Sequence, residues 1–417
     1  MTLLLIVISF IGVLHGSVHA TQNSSDVGLT IGDLITSRGF IHEPHYVTTP
    51  DGYILGIHRM INPLSRKYIS GKPKPILLQC GLLCSGSEFL DNSDSGYLNE
   101  TMIAYRHVLN MIDFESEGNN LGFLLANLGF DVWFFHPRGN MYSRNHTTLD
   151  PDSDKSYWQF TWDQMALIDL PATFELIMNQ TEQTVGYIGY SQGGTTIFGL
   201  LSECPEYSAN VVPIINIAPA VRLDNYAGLP YQSILESPLV MNYVMNRGGE
   251  CFGRQQFSFC EESPIMKIVC NFVTFNLLSI NKNQVDPDRI PVFMSHIPSG
   301  TSCWDILHLV QLIKNKNFAK FDFGKTKNLI KYNSTSPPLY DLGKVVTNDL
   351  YLVHSIGDHS ADPADITLLK SLLTSVPTIY DHVIQDKTFD HLDYFMSKNI
   401  GTLVNGPIAG MLDKYNP

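Results

Sequence analysis

Thr184–Thr196, TVGYIGYSQGGTT, is the stretch on which the reading of the whole chain turns. Val185–Tyr190 is a short apolar run of strand type, and a helical pattern begins at about Gln192. Between them lies Gly189-Tyr190-Ser191-Gln192-Gly193, a G-x-S-x-G at a strand-to-helix junction, the context a nucleophile elbow requires. Small residues at both ends permit a tight turn that holds the serine in a strained conformation above a sheet edge, next to the positive end of a helix. The pentapeptide alone also fits an ordinary glycine-rich turn, so its partners and its setting have to decide.

The setting is an alternation of strands and helices. YVTTPDGYILGIHRM reads as two strands around a Pro50-Asp51-Gly52 turn, because proline presets the turn and glycine tolerates positive φ. PILLQ (Pro75–Gln79) and DVWFF (Asp131–Phe135) are buried-type strands, with a helix over Leu121–Phe130 between them. Trp162–Gln180 follows as a long helix that Pro171 should kink. VVPIINIAPA and LYLVHS add strands of the parallel, doubly covered kind. The fold class is therefore α/β, with helices on both faces of a mostly parallel sheet. Between about Arg222 and Leu342 the rhythm breaks, which predicts a core over 21–221 and 343–417 with 222–342 inserted as a cap.

A serine hydroxyl is a weak nucleophile until a base takes its proton, so a histidine oriented by a carboxylate has to lie within hydrogen-bond reach. Gly357-Asp358 ends the LYLVHS strand and puts a carboxylate at a strand's C-terminal end, where such sheets carry function. Asp362 and Asp365 compete with it, but both sit near a helix start, where capping explains them. For the base, His391 in TFDHLDYF follows the strand IYDHVIQD, whereas His382 lies inside that strand and His359 adjoins the acid. The order Ser191, Asp358, His391 is the one α/β-hydrolases use. Backbone N–H donors for an oxyanion are expected from Gln192, directly after the serine, and from Leu82, in the loop after PILLQ.

Composition narrows the partners. The 417-residue chain is 44% hydrophobic and carries a net charge of −13, with no Lys/Arg-rich run, which argues against nucleic acid. Residues 1–20 hold an apolar run from Leu3 to Leu14 and a Val18-x-Ala20 ending, the pattern of a secretory signal peptide; no later stretch has the ~20 apolar residues of a membrane span. N-x-S/T sequons at Asn23, Asn99, Asn145, Asn179 and Asn333 fit the secretory route. There is no metal-binding motif, and neither a metal nor a cofactor is expected. Seven cysteines are too few for a disulfide scaffold; Cys251 and Cys260 lie close enough to close a small loop, leaving Cys270 free, against the alternative that all are buried thiols.

With PDGYILGIHR, GLL, DVW…RGN, WDQMALIDLPAT, GYSQGGTT, SHIPSGTS, ADPADI and HLDYF together, nearly the whole mature chain resembles the acid lipase family of gastric, lysosomal and invertebrate lipases. The resemblance implies an α/β-hydrolase core with a cap over the active site, acting on esters of neutral lipids, triacylglycerols or sterol esters, in a secreted or lysosomal setting. It makes Ser191 the nucleophile, Asp358 the acid and His391 the base, puts Leu82 and Gln192 at the oxyanion positions, and matches Cys251 and Cys260 to the family's disulfide spacing. A carboxylesterase for small soluble esters would share these residues, and a non-catalytic lipid carrier would share the fold. Two features depart from the family. Cys80-Gly81-Leu82-Leu83 stands where members usually have His-Gly-Leu-Leu, and the polar stretch from Cys84 to Asn120 is longer, either as part of the substrate entrance or as an inert insertion.

Overall fold

A computed structural model describes residues 26–227, 237, 239, 244–246, 248–253, 281 and 283–416. The signal-type segment 1–20, Asn23, Cys260, Cys270 and much of the expected cap lie outside these residues. The strands, in chain order, are β1 (Ile41–Thr48), β2 (Tyr53–Ile61), β3 (Pro75–Gln79), β4 (Asp131–Phe135), β5 (Asn145–His146), β6 (Val185–Tyr190), β7 (Val211–Ile217), β8 (Glu250–Cys251), β9 (Thr301–Ser302), β10 (Leu350–Ser355) and β11 (Ile379–Ile384). The main sheet runs β1-β2-β4-β3-β6-β7-β10-β11, with β5 pairing to β2. β1, β2 and β4 are joined antiparallel, and every neighbour from β4 to β11 is parallel. β3, β4, β6 and β10 are buried along their whole length, as their unbroken apolar runs require for strands covered on both faces.

The helices used below are α1 (Ile31–Ser37), α2 (Leu121–Asn127), α3 (Leu170–Thr181), α4 (Gln192–Glu203), α5 (Ile290–His296), α6 (Cys303–Asn315), α7 (Lys325–Tyr332) and α8 (Pro363–Leu372). The kink expected at Pro171 takes the form of a wide π-turn at Met165–Asp169 just before α3. Proline offers no N–H to the preceding turn, and the wide turn instead closes from the Leu170 N–H to the Met165 carbonyl. Val285, Ile290, Phe293, Leu312, Ile313 and Phe318, all within the inserted stretch, are buried in the same core as the sheet.

Part of the 84–120 stretch lies far from Ser191. Glu100 pairs with Lys67 and Tyr68, ahead of β3, and Arg106 packs beside Gly129, ahead of β4. These are the N-terminal ends of the parallel strands, opposite the end at which Ser191 follows β6, so residues 100–106 do not line an entrance there. Among the described residues no helix is long and apolar enough to cross a membrane.

Candidate active site

Ser191 stands between the last residue of β6 and the first of α4, with φ 53° and ψ −109°. That left-handed backbone is costly for serine and persists only where its surroundings fix it. Here the Ser191 N–H donates to the Ile217 carbonyl at 2.9 Å, and the Ser191 carbonyl accepts from Ala220 at 3.1 Å and Gly194 at 2.9 Å. Gly189 is required sterically, since a Cβ there would lie 2.7 Å from the Tyr187 ring and 2.9 Å from the Gly193 carbonyl carbon.

The loop after β10 and the loop after β11 bring the other two groups to this turn. His391 Nε2 lies 2.8 Å from Ser191 Oγ, and His391 Nδ1 lies 3.0 Å from Asp358 Oδ2. A carboxylate can only accept, so Nδ1 carries the proton and Nε2 is left to accept from the serine hydroxyl. Asp358 is 2% exposed and also accepts from the N–H groups of Ser360 (2.8 Å) and Ala361 (2.9 Å). Burial pushes Asp358 up, but His391 and these two N–H groups outweigh it and hold the carboxyl below its ordinary value. The Tyr190 hydroxyl donates to the His391 carbonyl at 2.6 Å and so holds the loop's backbone.

The rival residues have other occupations. Asp362 caps α8 by accepting from Ala364 N–H at 2.7 Å. Asp365 instead receives the backbone and side-chain N–H groups of Asn225. His359 faces Asp390, and His382 Nε2 meets the Leu403 carbonyl.

Gly81 lies against the serine, where an added Cβ would stand 2.8 Å from Ser191 Cβ, so Leu82 follows at the edge of the site. Gln192 heads α4, with its backbone N–H at the helix start and its side chain donating to both oxygens of Asp305 at 3.1 Å. Burial pushes the Asp305 carboxyl up to about 6, against the hydrogen bonds from Gln192 and Thr301. Nothing in the sequence singled out Asp305, which reaches the site from α6.

Two disulfides frame this region. Cys80 is bonded to Cys84 across the Gly81–Leu83 turn. Two cysteines four apart around Gly-Leu-Leu were a visible signal for this pairing. The expected Cys251–Cys260 bridge is corrected: Cys251 is bonded to Cys303. The β8–β9 ladder sets Cys251 opposite Thr301 and brings the two Cα atoms to 4.9 Å, within disulfide range. Cys204, the remaining described cysteine, is unbonded. Asn145, Asn179 and Asn333 are exposed, whereas Asn99 is half-buried and caps a short helix.

A model of the partial α/β-hydrolase lipase region matches residues 31–93. Lipase 1 of Drosophila melanogaster is 31% identical over 93% of this chain and 81% of its own length. The lysosomal acid lipase/cholesteryl ester hydrolase of Rattus norvegicus is 31% identical over 96% and 94%. The gastric triacylglycerol lipase of that species is 28% identical over 99% of both chains. Among solved structures, a candidate lipase from Sulfolobus solfataricus covers 95% of this chain and 99% of its own with a TM-score of 0.51; at 13% identity it speaks for the fold alone. Secreted or lysosomal residence, the setting of the gastric and lysosomal relatives, fits a chain that carries two disulfides. On this similarity along nearly its full length, the chain belongs to the acid lipase family and is an ester hydrolase of the lipase class on the α/β-hydrolase fold.

Proposed function

We propose that the protein hydrolyses neutral lipid esters, triacylglycerols or sterol esters, through an acyl-enzyme on Ser191. The observation that carries this reading is the hydrogen-bonded chain from Ser191 Oγ through His391 to buried Asp358, at 2.8 and 3.0 Å. His391 Nε2 takes the hydroxyl proton as Oγ attacks the ester carbonyl. The N–H groups of Leu82 and Gln192 hold the resulting oxyanion. Collapse breaks the ester bond and His391 protonates the departing alcohol. Water, deprotonated by the same ring, then releases the fatty acid and restores Ser191. Asp358 stays ionised and keeps Nδ1 protonated. The lipid class rests on the relatives, whose names specify triacylglycerol and cholesteryl esters. We assign to the stretch 222–342 the role of a cap over an apolar acyl pocket that opens to admit the lipid, while Val285, Ile290, Phe293, Leu312, Ile313 and Phe318 stay anchored in the sheet's core.

The test is fatty-acid release from an emulsified long-chain triacylglycerol and from a cholesteryl ester, beside a soluble butyrate ester. Release from an emulsion that vanishes in Ser191→Ala is the expected outcome. Turnover of butyrate alone would replace the lipid substrate with small soluble esters.

A further inference from the structure

The turn that carries Leu82 is anchored to its surroundings on both sides of Leu82 and closes on itself only weakly through hydrogen bonds. At its start, the Gln79 side-chain oxygen accepts from the Tyr187 hydroxyl at 2.7 Å and the Thr196 hydroxyl at 3.1 Å. Beyond Leu82, the Leu83 carbonyl accepts from Ser299 N–H at 2.7 Å, the Cys84 carbonyl from Asn140 Nδ2 at 3.0 Å, and Gly86 N–H donates to His136 Nε2 at 3.0 Å. Within the turn, the Cys84 N–H reaches the Gly81 carbonyl only at 3.4 Å, too long for a strong hydrogen bond. Leu83 is also held at φ +66°, a left-handed conformation that a leucine adopts only under constraint. The one strong link joining the two ends of the turn to each other is covalent, the Cys80–Cys84 bond, with both cysteines 6% exposed. It closes the turn in the position where Gly81 touches Ser191.

We propose that the Cys80–Cys84 disulfide is the positioning element of the oxyanion loop, so that reducing it slows ester cleavage in an enzyme that remains folded. The proposal rests on the reading of Leu82 N–H as an oxyanion donor. In the reduction a dithiol gives two electrons and two protons to the sulfur–sulfur bond and itself becomes a cyclic disulfide, leaving two thiols at Cys80 and Cys84. Freed of the link, Leu83 relaxes from its left-handed conformation and the Leu82 N–H drifts from the oxyanion. A displacement of about 1 Å at a positioned group can cost ~100-fold in rate. The oxyanion forms only after binding, so the loss belongs to kcat and spares KM. The ring encloses few residues, so the chain entropy released on opening it should lower the melting temperature by only a few degrees.

The experiment compares wild type, the double variant Cys80→Ser with Cys84→Ser, and Ser191→Ala on a soluble butyrate ester, with and without dithiothreitol. The expected result is a kcat about 10- to 100-fold lower in the double variant, at unchanged KM and with a melting temperature lowered by no more than a few degrees. Wild type should converge on that value under reductant, recover on reoxidation, and leave the double variant's residual rate insensitive to reductant. A double variant with wild-type kcat overturns the inference, as does a reductant effect of equal size in both. Should the double variant fail to fold, alkylation of reduced wild type followed by mass mapping decides: kcat has to fall in step with labelling of Cys80 and Cys84 while near-ultraviolet circular dichroism stays native, and a fall that tracks only Cys251 and Cys303 overturns it. The Ser191→Ala arm separates the two levels. Hydrolysis that persists there overturns the serine-esterase reading and the inference with it, whereas Ser191-dependent hydrolysis indifferent to the bridge overturns the inference alone.

Discussion

At Ser191 a strained backbone, a neighbouring imidazole and a buried carboxylate meet in one hydrogen-bonded line, and each was legible for a separate reason. Ser191 was marked by its glycine-flanked junction, Asp358 by its place after a strand, and His391 by its place in the following loop. Asp358→Asn presents an amide where a carboxylate accepted, so the ring loses the partner that fixes its tautomer. A fall in kcat of about 10⁴-fold, with the fold intact by circular dichroism, is the expected outcome. Asp305 was not legible: it meets Gln192 across 113 residues of sequence, and no local pattern announces such a contact. Its carboxyl is fully buried and sits at about 6 rather than 3.8. A carboxyl raised on folding stabilises the fold fully below its unfolded value and loses that contribution as pH rises through the folded one. Asp305→Asn cannot ionise. The stability advantage of the native chain over this variant should therefore shrink by about 2 kcal/mol between about pH 4.5 and about pH 7.5, read from urea unfolding at both.

Strands declared themselves through unbroken apolar runs bounded by turn residues, which is why β3, β4, β6 and β10 agree with the sequence reading. What local pattern does not encode is which short segments pair across an insertion. Cys251 bonds Cys303 because β8 meets β9, a contact between segments some fifty residues apart that closeness in sequence could not suggest. The π-turn before Pro171 was hidden for a related reason: a missing N–H predicts a disturbance but leaves its geometry to the surrounding packing. The elbow is the element most sensitive to a single methyl group. Gly189→Ala pushes a Cβ into the Tyr187 ring and the Gly193 backbone, and should cost about 1–3 kcal/mol in thermal unfolding while also lowering activity, because the turn that carries Ser191 has to shift.

Across the whole molecule, one buried cation joins pieces that sequence keeps apart. The Arg138 guanidinium, 1% exposed, binds Asp169 in the π-turn at 2.7 and 2.9 Å and Asp51 in the β1–β2 turn at 2.6 and 3.0 Å, and lies 4.0 Å above the Tyr53 ring. It thus ties the antiparallel hairpin to the helix that packs on β6, the strand ahead of Ser191. Burial pushes the Asp169 carboxyl up even with Arg138 beside it. Arg138→Met leaves that buried charge without its partner and should destabilise the fold by about 3–5 kcal/mol in urea unfolding. The alternation of apolar runs announced the fold class, and the motifs the family. The network that holds the hairpin to the sheet is a property of the assembled fold and has no signature in any one segment.

The central claim is that Ser191 is the nucleophile, and covalent capture tests it most directly. Purified enzyme is treated with an alkyl phosphonate ester, which a serine activated by His391 attacks at phosphorus, and the digest is mapped by mass spectrometry. The account predicts one phosphonyl group per chain, on Ser191, bound in step with the loss of ester hydrolysis and absent from His391→Ala. Complete loss of hydrolysis with the label on another residue, or hydrolysis that survives full labelling of Ser191, would contradict it.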